Sequence, residues 1–116
     1  MTITTTRIDA QTAIVNPGAE LDEQHAKTLR DTIGQLRADG VERFVVDLSS
    51  VEAIDRVGLG VLRDAWRQGG RDRVLLAAPT QRVRNYLDVV SFPVPIIDRV
   101  EWAVRCLQRD AAEKAA

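Results

Sequence analysis

One cysteine and one histidine are the only residues of their kinds in this 116-residue sequence. With Cys106 alone, no internal disulfide can form, and the cross-linked secreted scaffolds common among small domains are excluded. A reactive thiol needs surroundings that lower its pKa, and the sequence shows none around Cys106. His25 finds no partners at ligand spacing, so it reads as a surface histidine and no metal site is expected. A basic excess is also missing: sixteen Lys and Arg face seventeen Asp and Glu, for a net charge of -1. That excludes a general nucleic-acid or membrane-surface binder. No apolar run approaches the roughly 20 residues of a membrane span. The first residues lack the basic start and apolar core of a signal peptide, so a cytoplasmic location is the expectation. Neither Gly-x-x-x-x-Gly-Lys-Ser/Thr nor Gly-x-Gly-x-x-Gly occurs, so no phosphate loop is read and no cofactor is expected.

Hydrophobic residues make up 45% of the chain, enough for one compact domain with a real core. No repeat or low-complexity linker divides it. Residues 2–8 suit a half-exposed strand, and Asp9-Ala10 turns it into a second strand from Gln11 to Asn16, ended by Pro17-Gly18. Asp22 caps a helix to about Ala38, with Ala26, Leu29, Ile33 and Leu36 at helical spacing and Gly40 just beyond its end. Phe44-Val45-Val46 reads as a strand buried on both faces.

Ser49 to Ile54 reads as a loop, and a second helix runs from about Arg56 to Gln68 with Gly58, Val61, Leu62, Ala65 and Trp66 inward, stopped by Gly69-Gly70. Val74 to Ala78 is another buried strand. Pro79-Thr80 opens a helix with Val83, Tyr86, Leu87 and Val90 inward. Val94 to Ile97 contains Pro95 and so belongs at a sheet edge. Asp98 and Glu101 have capping-box spacing for a last helix whose core stripe is Val100, Ala103, Val104 and Leu107. Residues 1–110 form the single domain, and 111–116 a flexible tail that frays. Strands alternating with helices predict an α/β fold with parallel crossovers.

The run from Phe44 to Leu62, with Asp47-Leu48-Ser49 closing the strand and Asp55-Arg56-Val57-Gly58-Leu59-Gly60 opening the helix, resembles the signature of the STAS family. Gly18-Ala19-Glu20-Leu21-Asp22 resembles the family's Gly-x-Leu-Asp turn, with one extra residue. The order of elements matches over nearly the whole chain. The resemblance implies a mixed, mostly parallel sheet of four to five strands with about four helices. It also implies an anti-sigma-factor antagonist, a regulator without a catalytic centre that binds an anti-sigma factor of the serine-kinase type or a related signalling protein. In that family the kinase phosphorylates the Ser or Thr after the motif Asp, and binding is lost. A phosphoryl group brings about −1.5 to −2 charges to the middle of a contact surface.

In this sequence the phosphoacceptor position is Arg56 and the next is Val57, and neither side chain has a hydroxyl. Phosphorylation at the usual place is chemically impossible, and Ser49 and Ser50 match no family phosphosite. The switch is therefore expected to be locked in its binding state, or controlled by something other than phosphorylation. A cation in the first helical turn is mildly unfavourable, about 0.3–1 kcal/mol, so Arg56 is not explained by helix stability. It either reaches an acidic group on a partner or pairs with Asp55 or Glu52 on a solvated face. Arg56, Arg63 and Arg67 share one face with Gly60 as a gap between them, either a basic contact stripe or a plain solvated face.

The resemblance makes Asp22, Asp55, Arg56, Val57, Gly58, Gly60, Arg63 and Arg67 the candidate partner-binding residues. Asp55 is read first as the N-cap of the second helix, and Gly58 first as a point of close packing on the sheet. Trp102 lies opposite the last helix's core stripe, either as a homodimer or partner contact or folded over its neighbours. An alternative role is the STAS accessory subunit of a lipid-transport complex, which needs no phosphorylation. An enzyme would need convergent acid-base or nucleophilic groups, and nothing completes a site around Asp47 and Asp55.

Overall fold

The computed structural model describes residues 3–69 and 73–115, with side chains as far as Arg109. In chain order the elements are β1 (Thr4–Arg7), β2 (Thr12–Asn16), β3 (Glu20–Leu21), α1 (Glu23–Ala38), β4 (Arg43–Asp47) and β5 (Ala53–Ile54). These are followed by α2 (Arg56–Gly69), β6 (Val74–Ala77), α3 (Gln81–Val89), β7 (Ile96–Ile97) and α4 (Val100–Ala115). The main sheet has five strands in the order β1-β2-β4-β6-β7. Its first pair is antiparallel and the others are parallel, with Val45 opposite Ile14 on one side and Leu75 on the other. This is the mixed, mostly parallel sheet with four helices that the sequence predicts.

Successive strand residues point to opposite faces of a sheet, and here both faces are apolar. Ala13, Val15, Phe44, Val46, Val74 and Leu76 join α1, α2 and α3 in one core. Ile14, Val45, Leu75, Ala77 and Ile97 meet Val100, Ala103, Val104 and Leu107 of α4 on the other face. The predicted stripe of α1 is buried in full. Helix α2 buries Leu59 in addition to the predicted Val61, Leu62 and Ala65, while Trp66 is only half-buried.

Three local expectations change. The stretch read as a loop from Ser49 to Ile54 contains β5, which pairs in parallel with β3. Two-residue strands carry no periodicity, and neither of these sits in an apolar run, so neither was visible. The edge strand near Pro95 is shorter than expected and starts at Ile96, although the Pro95 carbonyl still accepts a hydrogen bond from the Leu76 N–H at 2.9 Å. Its place at the sheet edge is as expected. Asp98 does not cap the last helix, because α4 begins at Val100 and Asp98 Oδ1 instead accepts from Arg84 Nη2 at 2.7 Å. Helix α4 runs to Ala115, so its backbone continues past Arg109 into the expected tail, whose side chains lie outside the described residues. Gly70, read as part of the stop after the second helix, also lies outside them.

Candidate docking site at the start of helix α2

Two short strands build the frame of the site. Gly18 has φ of +85°, a conformation glycine adopts without a Cβ penalty, and it turns the chain after β2 toward β3. From there the Ala19 carbonyl accepts from the N–H groups of Glu52 (2.7 Å) and Ala53 (3.0 Å), and the Leu21 carbonyl accepts from Asp55 N–H at 3.1 Å. The turn before α1 is thereby tied to the turn before α2. A Cβ on Gly58 would stand 2.1 Å from the Leu21 carbonyl oxygen, so only glycine lets α2 start this close to β3. Gly58 is buried. Its place among the partner-binding candidates is therefore corrected: it faces the molecule's own backbone.

Asp55 caps two helices at once. Its Oδ1 accepts from Gly58 N–H at 2.9 Å and its Oδ2 from Glu23 N–H at 3.0 Å. Each bond satisfies a donor in a first helical turn, where the helix has no carbonyl to offer. Asp22 caps α1, accepting from His25 N–H at 3.2 Å, and the same oxygen lies 2.7 Å from His25 Nδ1. These contacts, the His25 side-chain bond foremost, hold the Asp22 carboxyl below its ordinary value. Both aspartates therefore spend their carboxylates on the frame.

His25 has the neighbours that spacing failed to suggest. Its Nδ1 is 3.4 Å from Glu20 Oε2, and one ligand-type atom each from Glu20, Asp22 and His25 lies within 4.8 Å of the others. The sequence signal was Glu20 and Asp22 on the turn before the helix, and it becomes proximity only because β3 is extended. The group sits on the N-terminus of α1, whose dipole works against a bound cation. Capping and side-chain pairing account for it.

Above this frame Arg56 and Val57 face solvent, with Val57 44% exposed. Among the described residues Arg56 has no ion pair or hydrogen bond, so the pairing with Asp55 or Glu52 does not form. The expected basic stripe is interrupted. Arg56 and Arg67 are exposed, but Arg63 is half-buried, with its guanidinium carbon 5.8 Å from the centre of the Phe92 ring. Arg63 Nε is buried without a hydrogen-bond partner. Arg56, Leu59, Gly60 and Arg63 form one wall of an open groove of about 470 Å³, and Val89 and Val90 form the other. Val89 is 82% exposed. In the sequence the one signal of Val89 in this wall is that it falls off the inward stripe of α3.

The element order, the paired turns and the capped helix start coincide with a known family. The model described as Mlab, STAS domain matches residues 4–94. The chain belongs to the STAS family. The STAS domain is 40% identical over 50 residues to the anti-sigma-F factor antagonist RsfB of Mycobacterium tuberculosis. That match spans 43% of this chain and 41% of the relative. An anti-sigma factor antagonist of Mycobacterium paratuberculosis has 25% identity over 92% of this chain and 93% of its own, with a TM-score of 0.73. SpoIIAA, an anti-sigma factor antagonist, in its unphosphorylated form shares the fold, with a TM-score of 0.75 at 18% identity over 94% of this chain and 97% of its own. The Bacillus cell-fate determinant SpoIIAA has also been solved in a phosphorylated form. This STAS domain thus shares its fold with anti-sigma factor antagonists. Among its described residues no helix is long and apolar enough to cross a membrane.

Proposed function

We propose that this STAS domain is a regulatory binding module that engages an anti-sigma factor of the serine-kinase type, or a related signalling protein, through the turn opening α2. It acts in the cytoplasm, without a catalytic centre or cofactor of its own. The contact surface is Arg56 and Val57, continued along α2 by Gly60, Arg63 and Arg67, on a frame held by Asp22 and Asp55. The observation that carries this reading is the exposed pair Arg56–Val57 at the helix start, without a hydroxyl and, among the described residues, with no ion pair or hydrogen bond to the Arg56 side chain. A phosphorylated serine would place about −1.5 to −2 charges there. Arg56 places a permanent positive charge there instead, and so does not mimic the phosphorylated state.

The domain is expected to stay competent to bind in the presence of kinase and ATP. Incubation with the kinase-type anti-sigma factor and ATP, followed by phosphate mapping, should find no phosphate at the turn and no loss of binding. Stoichiometric phosphate on Ser49 or Ser50 that ends binding would sink the proposal. In the same assay Arg56→Ser should gain ATP-dependent release.

The missing hydroxyl also favours a second reading, an accessory subunit of a lipid-transport complex, where no phosphoryl switch is needed. Affinity capture followed by identification separates the two: a kinase-like anti-sigma factor in one case, a transporter ATPase in the other.

A further inference from the structure

We infer that the groove between α2 and the end of α3 receives an acidic side chain of the protein partner, with its carboxylate between Arg56 and Arg63 and a neighbouring apolar side chain against Val89. This rests on the docking reading above and specifies the partner's chemistry at that surface.

Charge is the first argument. Two guanidinium groups line one wall, and among the described residues neither has an ion pair or hydrogen bond. The nearest carboxylate in sequence, Asp55, is occupied by Gly58 N–H and Glu23 N–H. Arg63 supplies the second argument. Its Nε is buried without an acceptor, so the terminal nitrogens are the part of the guanidinium open to the groove. Its guanidinium is held against the Phe92 ring, which limits the freedom that binding must remove. The two terminal nitrogens of an arginine match the two oxygens of a carboxylate.

Space is the third argument. A Cβ at Gly60 would meet no atom within 4 Å, so the floor between the two arginines is open. The facing wall is apolar, with Val89 82% exposed, and suits an aliphatic neighbour of the acidic residue. A nucleic acid fits poorly, because the chain's net charge of -1 provides no extended basic track. Helix α2's own dipole contributes little, since Asp55 already occupies that end.

The test titrates the isotopically labelled chain with acetyl-Leu-Glu-Leu-amide and, separately, with its glutamine counterpart, followed by NMR. The glutamate peptide should shift the Arg63 Nε–H, Gly60 and Val89 signals, with at least about tenfold weaker binding for the glutamine peptide. Arg63→Gln should abolish the response. Because Arg63 is half-buried, Val89→Glu serves as a second variant: it lies in open solvent, leaves the fold intact, and should also abolish the response by like-charge repulsion. Arg67→Ala, outside the groove, should bind as the parent does. Equal responses to the two peptides, or an unmoved Arg63 Nε–H at about 10 mM glutamate peptide, would overturn the assignment. A partner that is lost with Arg56→Ala but retained with Arg63→Gln and Val89→Glu would overturn the groove assignment alone and leave the docking reading standing.

Discussion

A methyl group on Gly58 would sit 2.1 Å from the Leu21 carbonyl oxygen, and the obstacle is backbone that β3 and β5 hold in place. Gly58→Ala should therefore cost about 1–3 kcal/mol in urea unfolding, by forcing α2 off the paired turns. Gly60→Ala, two residues on, meets no atom within 4 Å and should gain about 0.5–1 kcal/mol from helix propensity alone. The sequence displays the two glycines as equivalent members of one motif, and only the position of Leu21 separates them. Asp22 provides a pH prediction at the same scale. Its carboxyl is held below the ordinary value of 3.8, chiefly by the His25 side chain. A carboxyl whose pKa is depressed in the fold contributes stability that is fully present above its unfolded value and is lost as pH falls through the folded one. The NMR titration midpoint of Asp22 should lie below 3.8 and move up toward it in His25→Ala. An unmoved midpoint would assign the effect to capping.

Helix α4 stands by itself on one face of the main sheet, while α1, α2 and α3 share the other. Leu107, 1% exposed, is the deepest large side chain it contributes. Leu107→Ala should cost about 2–5 kcal/mol in chemical denaturation, because no second helix is placed to close the cavity. The stripe that positions α4 was readable from spacing, since Val100, Ala103, Val104 and Leu107 recur at helical intervals. The start of α4 was not, because the helix begins at Val100, two residues past Asp98, and Asp98 pairs instead with Arg84 of α3. On the outward side of α4, Trp102 is 45% exposed with the Arg99 guanidinium 4.9 Å from its ring centre. A cation over the ring covers one face and leaves the rest for contact. If Trp102 serves self-association, sedimentation over a concentration series should show dimer for the parent and monomer for Trp102→Ala. Monomer throughout for both would assign Trp102 to its contact with Arg99.

At the scale of the whole molecule, nearly every regular element was legible in the sequence. Buried strands and amphipathic helices write their period directly into the order of residues. The missing elements, β3 and β5, are two residues each and, unlike the equally short β7, do not sit in an apolar run. The candidate site divides in the same way. The lack of a hydroxyl at Arg56 and Val57 is a fact of covalent chemistry, and no fold alters it. That Arg56 stands unpaired, that Arg63 turns from the solvent face toward Phe92, and that Val89 completes a groove with them depend on how α2 and α3 pack. The sequence by itself determined the α/β alternation, the two-sided core and the absence of a hydroxyl at Arg56 and Val57, because each follows from local periodicity or residue chemistry. The tertiary structure alone decided which charges are neutralised and which remain open, because those pairings join residues from different elements, and packing chooses among them.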